Sequence, residues 1–165
     1  IEDVLFAAFP PEDRRLGIYV VDEIYRTGGK GPVSAWSGGI PGPVWSPTGE
    51  RRGVLLAIPQ WDDVKTQGLG QSLAHDVAHY LGVRHTTEAN GLSLYEGDDA
   101  EVGSDLLSET PVCPDEQDLD GDLFLTWGEC NGWDSTNLMF WNPLSTSTEL
   151  VSEQGKQMLL HPLVR

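Results

Sequence analysis

His75-Asp76-Val77-Ala78-His79-Tyr80-Leu81-Gly82-Val83-Arg84-His85 gathers three of the chain's four histidines into 11 residues. On a helix, positions i and i+4 lie on one face, so His75 and His79 can point at one ion. Gly82 suits the left-handed residue that ends a helix, and a turn there lets His85 come back as a third ligand. Three imidazoles with an open fourth position form the layout of a catalytic zinc rather than a closed structural one. His-x-x-x-His alone also arises by chance on a surface helix. Gly82 and His85 in register, with an apolar stripe at Leu69, Leu73, Val77 and Leu81 to bury the helix, favour the metal.

Working outward, Arg52 to Pro59 (RGVLLAIP) reads as a strand just before a helix over Val64 to Leu81. Leu16 to Tyr25, rich in β-branched and aromatic residues, reads as an earlier strand. Gly28 to Gly49, with Trp36 and Trp45, reads as a Gly/Pro/Ser loop, and Ile1 to Phe9 as the end of a short helix closed by Pro10-Pro11. Ser147 to Leu160 reads as a closing helix. Between Thr86 and Asn137 periodicity almost vanishes. Fifty structureless residues in a compact domain require something other than an apolar core to order them.

Composition narrows the function. A chain of 165 residues fits one domain. With 26 acidic against 10 basic residues the formal charge is −16, which opposes nucleic-acid and anionic-membrane partners. No apolar run approaches the ~18 residues of a spanning helix, so no membrane insertion is expected. The chain opens at Ile1 without a basic-then-apolar leader and reads as a mature or trimmed product. Cys113 and Cys130 are an even count that allows a disulfide.

Acidic residues concentrate in the irregular stretch. Glu116-Gln-Asp118-Leu-Asp120-Gly121-Asp122-Leu123 places oxygens at alternate positions before a glycine. It is similar to the first half of an EF-hand loop. The acid due at loop position 12 would fall on Trp127, so the full motif fails, although Glu129 lies close by. Glu96, Asp98, Asp99, Glu101, Asp105 and Glu109 form a second cluster. A solvated acidic loop and one or two structural Ca²⁺ ions both fit, and the crowding of carboxylates favours Ca²⁺. Calcium and a disulfide together point to a secreted or extracytoplasmic setting. His161, before Pro162, reads as a surface or helix-end residue.

The histidine string resembles the long zinc signature of the metzincins, His-Glu-x-x-His-x-x-Gly-x-x-His. Asp134-Ser-Thr-Asn137-Leu-Met139-Phe-Trp141 is similar to that family's methionine turn, with Met139 as a hydrophobic floor under the ligands. Asp105-Leu-Leu-Ser-Glu109-Thr-Pro111, the cysteine pair ahead of the turn, and Gln154, Gln157 and Met158 in the last helix narrow the likeness to pappalysin-like metzincins, over residues 52 to 162. The resemblance implies an α+β zincin fold over residues 1–165, divided by a cleft. An upper part, 1–82, would carry a small twisted sheet and the zinc helix. An irregular lower part, 83–165, would carry the calcium loops, methionine turn and last helix.

The resemblance also implies a monomeric zinc endopeptidase acting on protein or peptide substrates, with the strand at Arg52 to Pro59 pairing with the substrate backbone. Two positions depart from the family. Its glutamate base is Asp76 here, shorter by about 1.5 Å. Its tyrosine two residues after the methionine is Trp141, which has only an N–H donor, so that role is absent or filled from elsewhere, for example by Tyr80 or Tyr95. The competing readings are a catalytically silent zinc- and calcium-stabilised binding domain, and a calcium-dependent interaction module whose histidines are incidental.

Overall fold

A computed structural model describes residues 15–25, 32–44, 51–58, 66–88, 107–144 and 146–165. The expected first helix, Trp45, Tyr95, and the acidic residues Glu96, Asp98, Asp99, Glu101 and Asp105 lie outside them. The described residues are mixed α+β, with small sheets and two α-helices. The chain divides into two units, Ile1–Gly82 with Gln157–Arg165, and Val83–Lys156.

In the first unit, β1 (Ile18–Val21), β4 (Ala35–Ser37) and β5 (Val54–Ala57) form a three-stranded sheet in the order β1-β5-β4. β1 runs parallel to β5, with Tyr19 opposite Leu55, and β4 runs antiparallel, with Trp36 opposite Leu55. β2 (Ile24–Tyr25) and β3 (Pro32–Val33) form a separate antiparallel pair. The stretch from Leu16 to Tyr25 is therefore two strands, broken at Asp22 and Glu23 so that each half pairs elsewhere. The expected Gly28–Gly49 loop carries β3 and β4, elements too short to show a period.

Tyr19, Val21, Trp36 and Val33 pack around buried Leu55, Ala57 and Ile24. Val54 and Leu56, which alternate with these along β5, are buried as well. A strand buried on both faces reads as an unbroken apolar run, which is what Val-Leu-Leu-Ala is. The helix α1 (Thr66–Tyr80) packs on β4 and β5. Its buried residues include His75, Ala78, His79 and Tyr80, whereas the expected stripe of Leu69, Leu73, Val77 and Leu81 is only half-buried. Gly42 passes so close to Tyr80 that a Cβ would overlap the ring. The Gly42 N–H donates to the Tyr80 carbonyl, and the Tyr80 hydroxyl donates to the Pro43 carbonyl. His161 is buried at the end of the last helix, its Nε2 3.0 Å from the Gly42 carbonyl.

The second unit is ordered by side-chain hydrogen bonds and a crosslink. Cys113 and Cys130 form a disulfide, and with Leu125 and Phe140 they make a buried cluster flanked by Trp127 and Trp141. Around it, Thr87 Oγ1 accepts the Cys113 N–H and donates to Asp134 Oδ2 at 2.6 Å. Among the described residues of this stretch, a 3₁₀ turn, Asp115–Gln117, is the regular element. The closing helix, α2 (Ser152–Leu160), begins later than its apolar pattern suggests. Residues before it pair with the methionine turn instead: Leu138 N–H donates to the Glu149 carbonyl and Glu149 N–H to the Thr136 carbonyl.

A crosslink closing a loop of this length removes unfolded-state entropy worth about 3 kcal/mol. Replacing both cysteines by serine is expected to lower the unfolding free energy of the second unit by that amount, seen as a lower urea midpoint in Trp fluorescence. An unchanged midpoint would show that the hydrogen bonds alone hold this unit.

A candidate metal centre on one helix and the turn after it

The centre is built locally, from one helix and the turn that follows. α1 places His75 and His79 one turn apart, both buried, with ring centroids 4.5 Å apart and edges turned to faces. The helix tightens as it ends, since the Gly82 N–H bonds the His79 carbonyl three residues back. Gly82 has φ +104°, a region costly for any residue with a Cβ. The nearest atom to a Cβ there is 3.7 Å away, so glycine is needed for its conformation, not for room. Beyond the turn, His85 offers a ring nitrogen that lies with those of His75 and His79 within 4.8 Å of one another. These three residues could hold a metal ion.

Asp76 lies between the two helical ligands in sequence. Burial pushes its carboxyl up to about 7, opposed by a hydrogen bond from the Ser37 backbone. The direction of that bond follows from the sheet. Gly38 N–H donates to Gly53, and the Ser34 carbonyl accepts from Ala57, so residues 34, 36 and 38 turn their backbone groups toward β5. Ala35 and Ser37 therefore turn theirs away, at the outer edge of β4. Asp76 accepts one of these outward amides. The expectation that the 52–59 strand pairs with a substrate is corrected here: β5 is the middle strand, hydrogen-bonded on both sides, and among the described residues β1 and β4 are the edges.

Of the expected auxiliary groups, Tyr80 is fully buried with its hydroxyl on the Pro43 carbonyl, and burial pushes its phenol up to about 12. It is not poised to act at a metal. Trp141 spends its indole N–H on the Leu125 carbonyl at 2.7 Å. Met139 is fully buried in a tight turn. Its N–H donates to Asn137 Oδ1, its carbonyl accepts the Thr86 N–H, and Asn137 Nδ2 bonds the buried Gln154 at 3.0 Å.

A second group joins Asp118, Asp120 and Glu129, whose carboxylate oxygens also lie within 4.8 Å of one another. Gly121, at φ +72°, turns the chain between them. Asp118 accepts the N–H groups of Gly121 and Leu123, and Glu129 those of Leu119 and Thr126. The Thr126 hydroxyl, then its N–H, hold the Glu129 carboxyl below the usual range. Of the other expected calcium ligands, Glu116 is not in the group and Asp122 accepts from Phe124 N–H. Glu109 faces α2: its carboxylate accepts the Glu153 N–H at 2.9 Å, and its own N–H donates to the Glu153 carboxylate at 3.2 Å.

Two residues beside the histidines had gone unmarked in the sequence. The Ser37 amide reaches Asp76 across a distance in sequence that carries no signal. Glu88 Oε2 lies 3.0 Å from His85 Nδ1, and a carboxylate three residues after a ligand is a signal that could be read.

No protein-family model matches the chain, and no curated protein matches it.

The raised Asp76 carboxyl predicts a pH dependence for the metal-free protein. The folded state keeps this proton up to about pH 7, while the unfolded chain releases it near the ordinary value of 3.8. The folded state binds more protons over that window, so the stability is fully present below pH 3.8 and is lost as pH rises through 7. Between pH 4 and pH 8, the metal-free wild type should lose roughly 4 kcal/mol relative to Asp76→Asn. Parallel urea-unfolding curves for the two proteins at both pH values would contradict this.

Proposed function

We propose that this chain is a zinc-dependent endopeptidase of metzincin type, with His75, His79 and His85 as the metal ligands and Asp76 as the general base. The single observation that carries the reading is the convergence of three imidazoles, with ring nitrogens within 4.8 Å of one another, on and just after the helix that also carries the desolvated Asp76 carboxyl. An all-nitrogen donor set of three, with both cysteines tied up in a disulfide, suits zinc with an open position. Ring nitrogens within 4.8 Å need only close toward the separation of about 3.3 Å that a tetrahedral zinc would set. Zinc, when bound, supplies Lewis acidity toward water and toward a carbonyl oxygen.

The chain's own groups supply the rest. A carboxyl near 7 can take a proton from the attacking water and return it to the leaving amine. Among the described residues no strand pairs with the outer edge of β4, where an extended peptide would add a strand. In the same reading Asp118, Asp120 and Glu129 hold Ca²⁺, an oxygen-only set in a loop with a glycine turn. The disulfide favours a secreted or extracytoplasmic setting, and no helix among the described residues is long and apolar enough to cross a membrane.

A second reading, a catalytically silent metal-stabilised binding domain, draws on Asp76 itself. Its side chain is one methylene short, and its carboxylate is already bonded to Ser37. Misplacement of about 1 Å can cost on the order of a hundredfold in rate.

Cleavage of an unstructured protein separates the two. The zinc-loaded chain should cleave it slowly, a chelator should stop cleavage, Asp76→Asn should abolish it, and Asp76→Glu should raise it roughly 10- to 100-fold. No cleavage by the wild type or by Asp76→Glu, each with one bound zinc, would leave the binding domain.

A further inference from the structure

Glu88 stands outside the histidine group yet touches one member of it. Its Oε2 lies 3.0 Å from His85 Nδ1, with the two side chains 17% and 21% exposed. Ionised, the glutamate is an acceptor only, so Nδ1 must carry the hydrogen and donate it. That leaves the Nε2 lone pair as the one His85 can offer. Glu88 is not among the residues whose ligand atoms gather within 4.8 Å of one another, so it touches His85 without joining the group of ligands.

The energetics do not explain Glu88 as a stabilising group. Its Oε1 is out of contact with water and has no hydrogen-bond partner among the described residues. Burying an acceptor without a partner costs free energy, and one partly exposed contact to a histidine offsets little. What the contact does accomplish is to fix a ring. His85 follows a glycine turn, whereas His75 and His79 are held by helix α1, so His85 is the ligand whose ring orientation the backbone determines least. A carboxylate on the outer nitrogen fixes both the tautomer and the rotation of such a ring, and makes the inner nitrogen a stronger donor.

We infer that Glu88 is a positioning residue that holds His85 in the Nδ1–H tautomer with Nε2 presented to the metal. The inference rests on the reading of His75, His79 and His85 as metal ligands.

The test uses the whole chain in two states. In the metal-free protein, ¹⁵N NMR of the imidazoles should show His85 as the Nδ1–H tautomer in the wild type. That preference should persist in Glu88→Gln, whose amide oxygen still accepts, and be lost in Glu88→Ala. In the second state, zinc affinity is measured by chelator competition. Glu88→Ala should bind roughly 10- to 100-fold more weakly than wild type, with Glu88→Gln between them. Glu88→Gln keeps the shape of the side chain, so it remains informative if the alanine variant folds poorly. A His85 tautomer indifferent to residue 88, or zinc affinities of both variants within twofold of a wild type that does bind, would overturn the role of Glu88 alone. A wild type that binds no zinc would overturn the metal centre and the role with it.

Discussion

The left-handed backbone at Gly82 is the constraint on which the candidate centre depends. A helix can present two histidines on one face unaided, but a third ligand from the same run must come from a chain that has turned. The φ of +104° at Gly82 makes that turn, the Gly82 N–H closes the helix on His79, and the Gly82 carbonyl accepts Gln157 Nε2 at 2.6 Å. The turn is thus held from both ends. A side chain at position 82 would meet no steric wall, yet would push the backbone toward right-handed values and carry His85 away.

Different forces order the two units. In the first, a fully buried strand, β5, collects β1 and β4 around it and receives α1. The result is an ordinary sheet-and-helix core, against which the buried polar residues, His75 and His79 among them, stand out. In the second, order comes from carboxylates, hydroxyls and amides that take up backbone N–H groups one at a time, together with one disulfide. Asp118, Glu129 and Asn137 each satisfy backbone amides that a strand or helix would otherwise have paired. Carboxylates already bonded to their own loop are held in position, which lowers the ordering cost for any ion that gathers them.

The parts of this arrangement legible in the sequence are those that depend on local spacing. Four-residue separation put His75 and His79 together, Gly82 announced the turn, and Val-Leu-Leu-Ala announced a strand. Glu129 was visible as a neighbour of the Asp118 loop. What could not be read depends on pairing across the chain. β3 and β4 are two and three residues long, and nothing in Pro32-Val33 or Ala35-Trp36-Ser37 signals a strand until β2 and β5 lie beside them. For the same reason the sequence assigned the outer edge of the sheet to β5 rather than β4. The bond from Ser37 to Asp76 is a consequence of that edge and was equally hidden. The start of α2 was misplaced because residues 147–151 follow a helical apolar pattern while their backbone bonds to the methionine turn.

The most direct measurement is zinc-edge X-ray absorption on the chain loaded with one equivalent of the metal. The account predicts a first shell of three imidazole nitrogens at about 2.0 Å with one further light atom, the pattern of an open three-histidine site. A shell of oxygens with one imidazole or none would place the ion among the carboxylates. It would contradict the claim that His75, His79 and His85 form one metal centre.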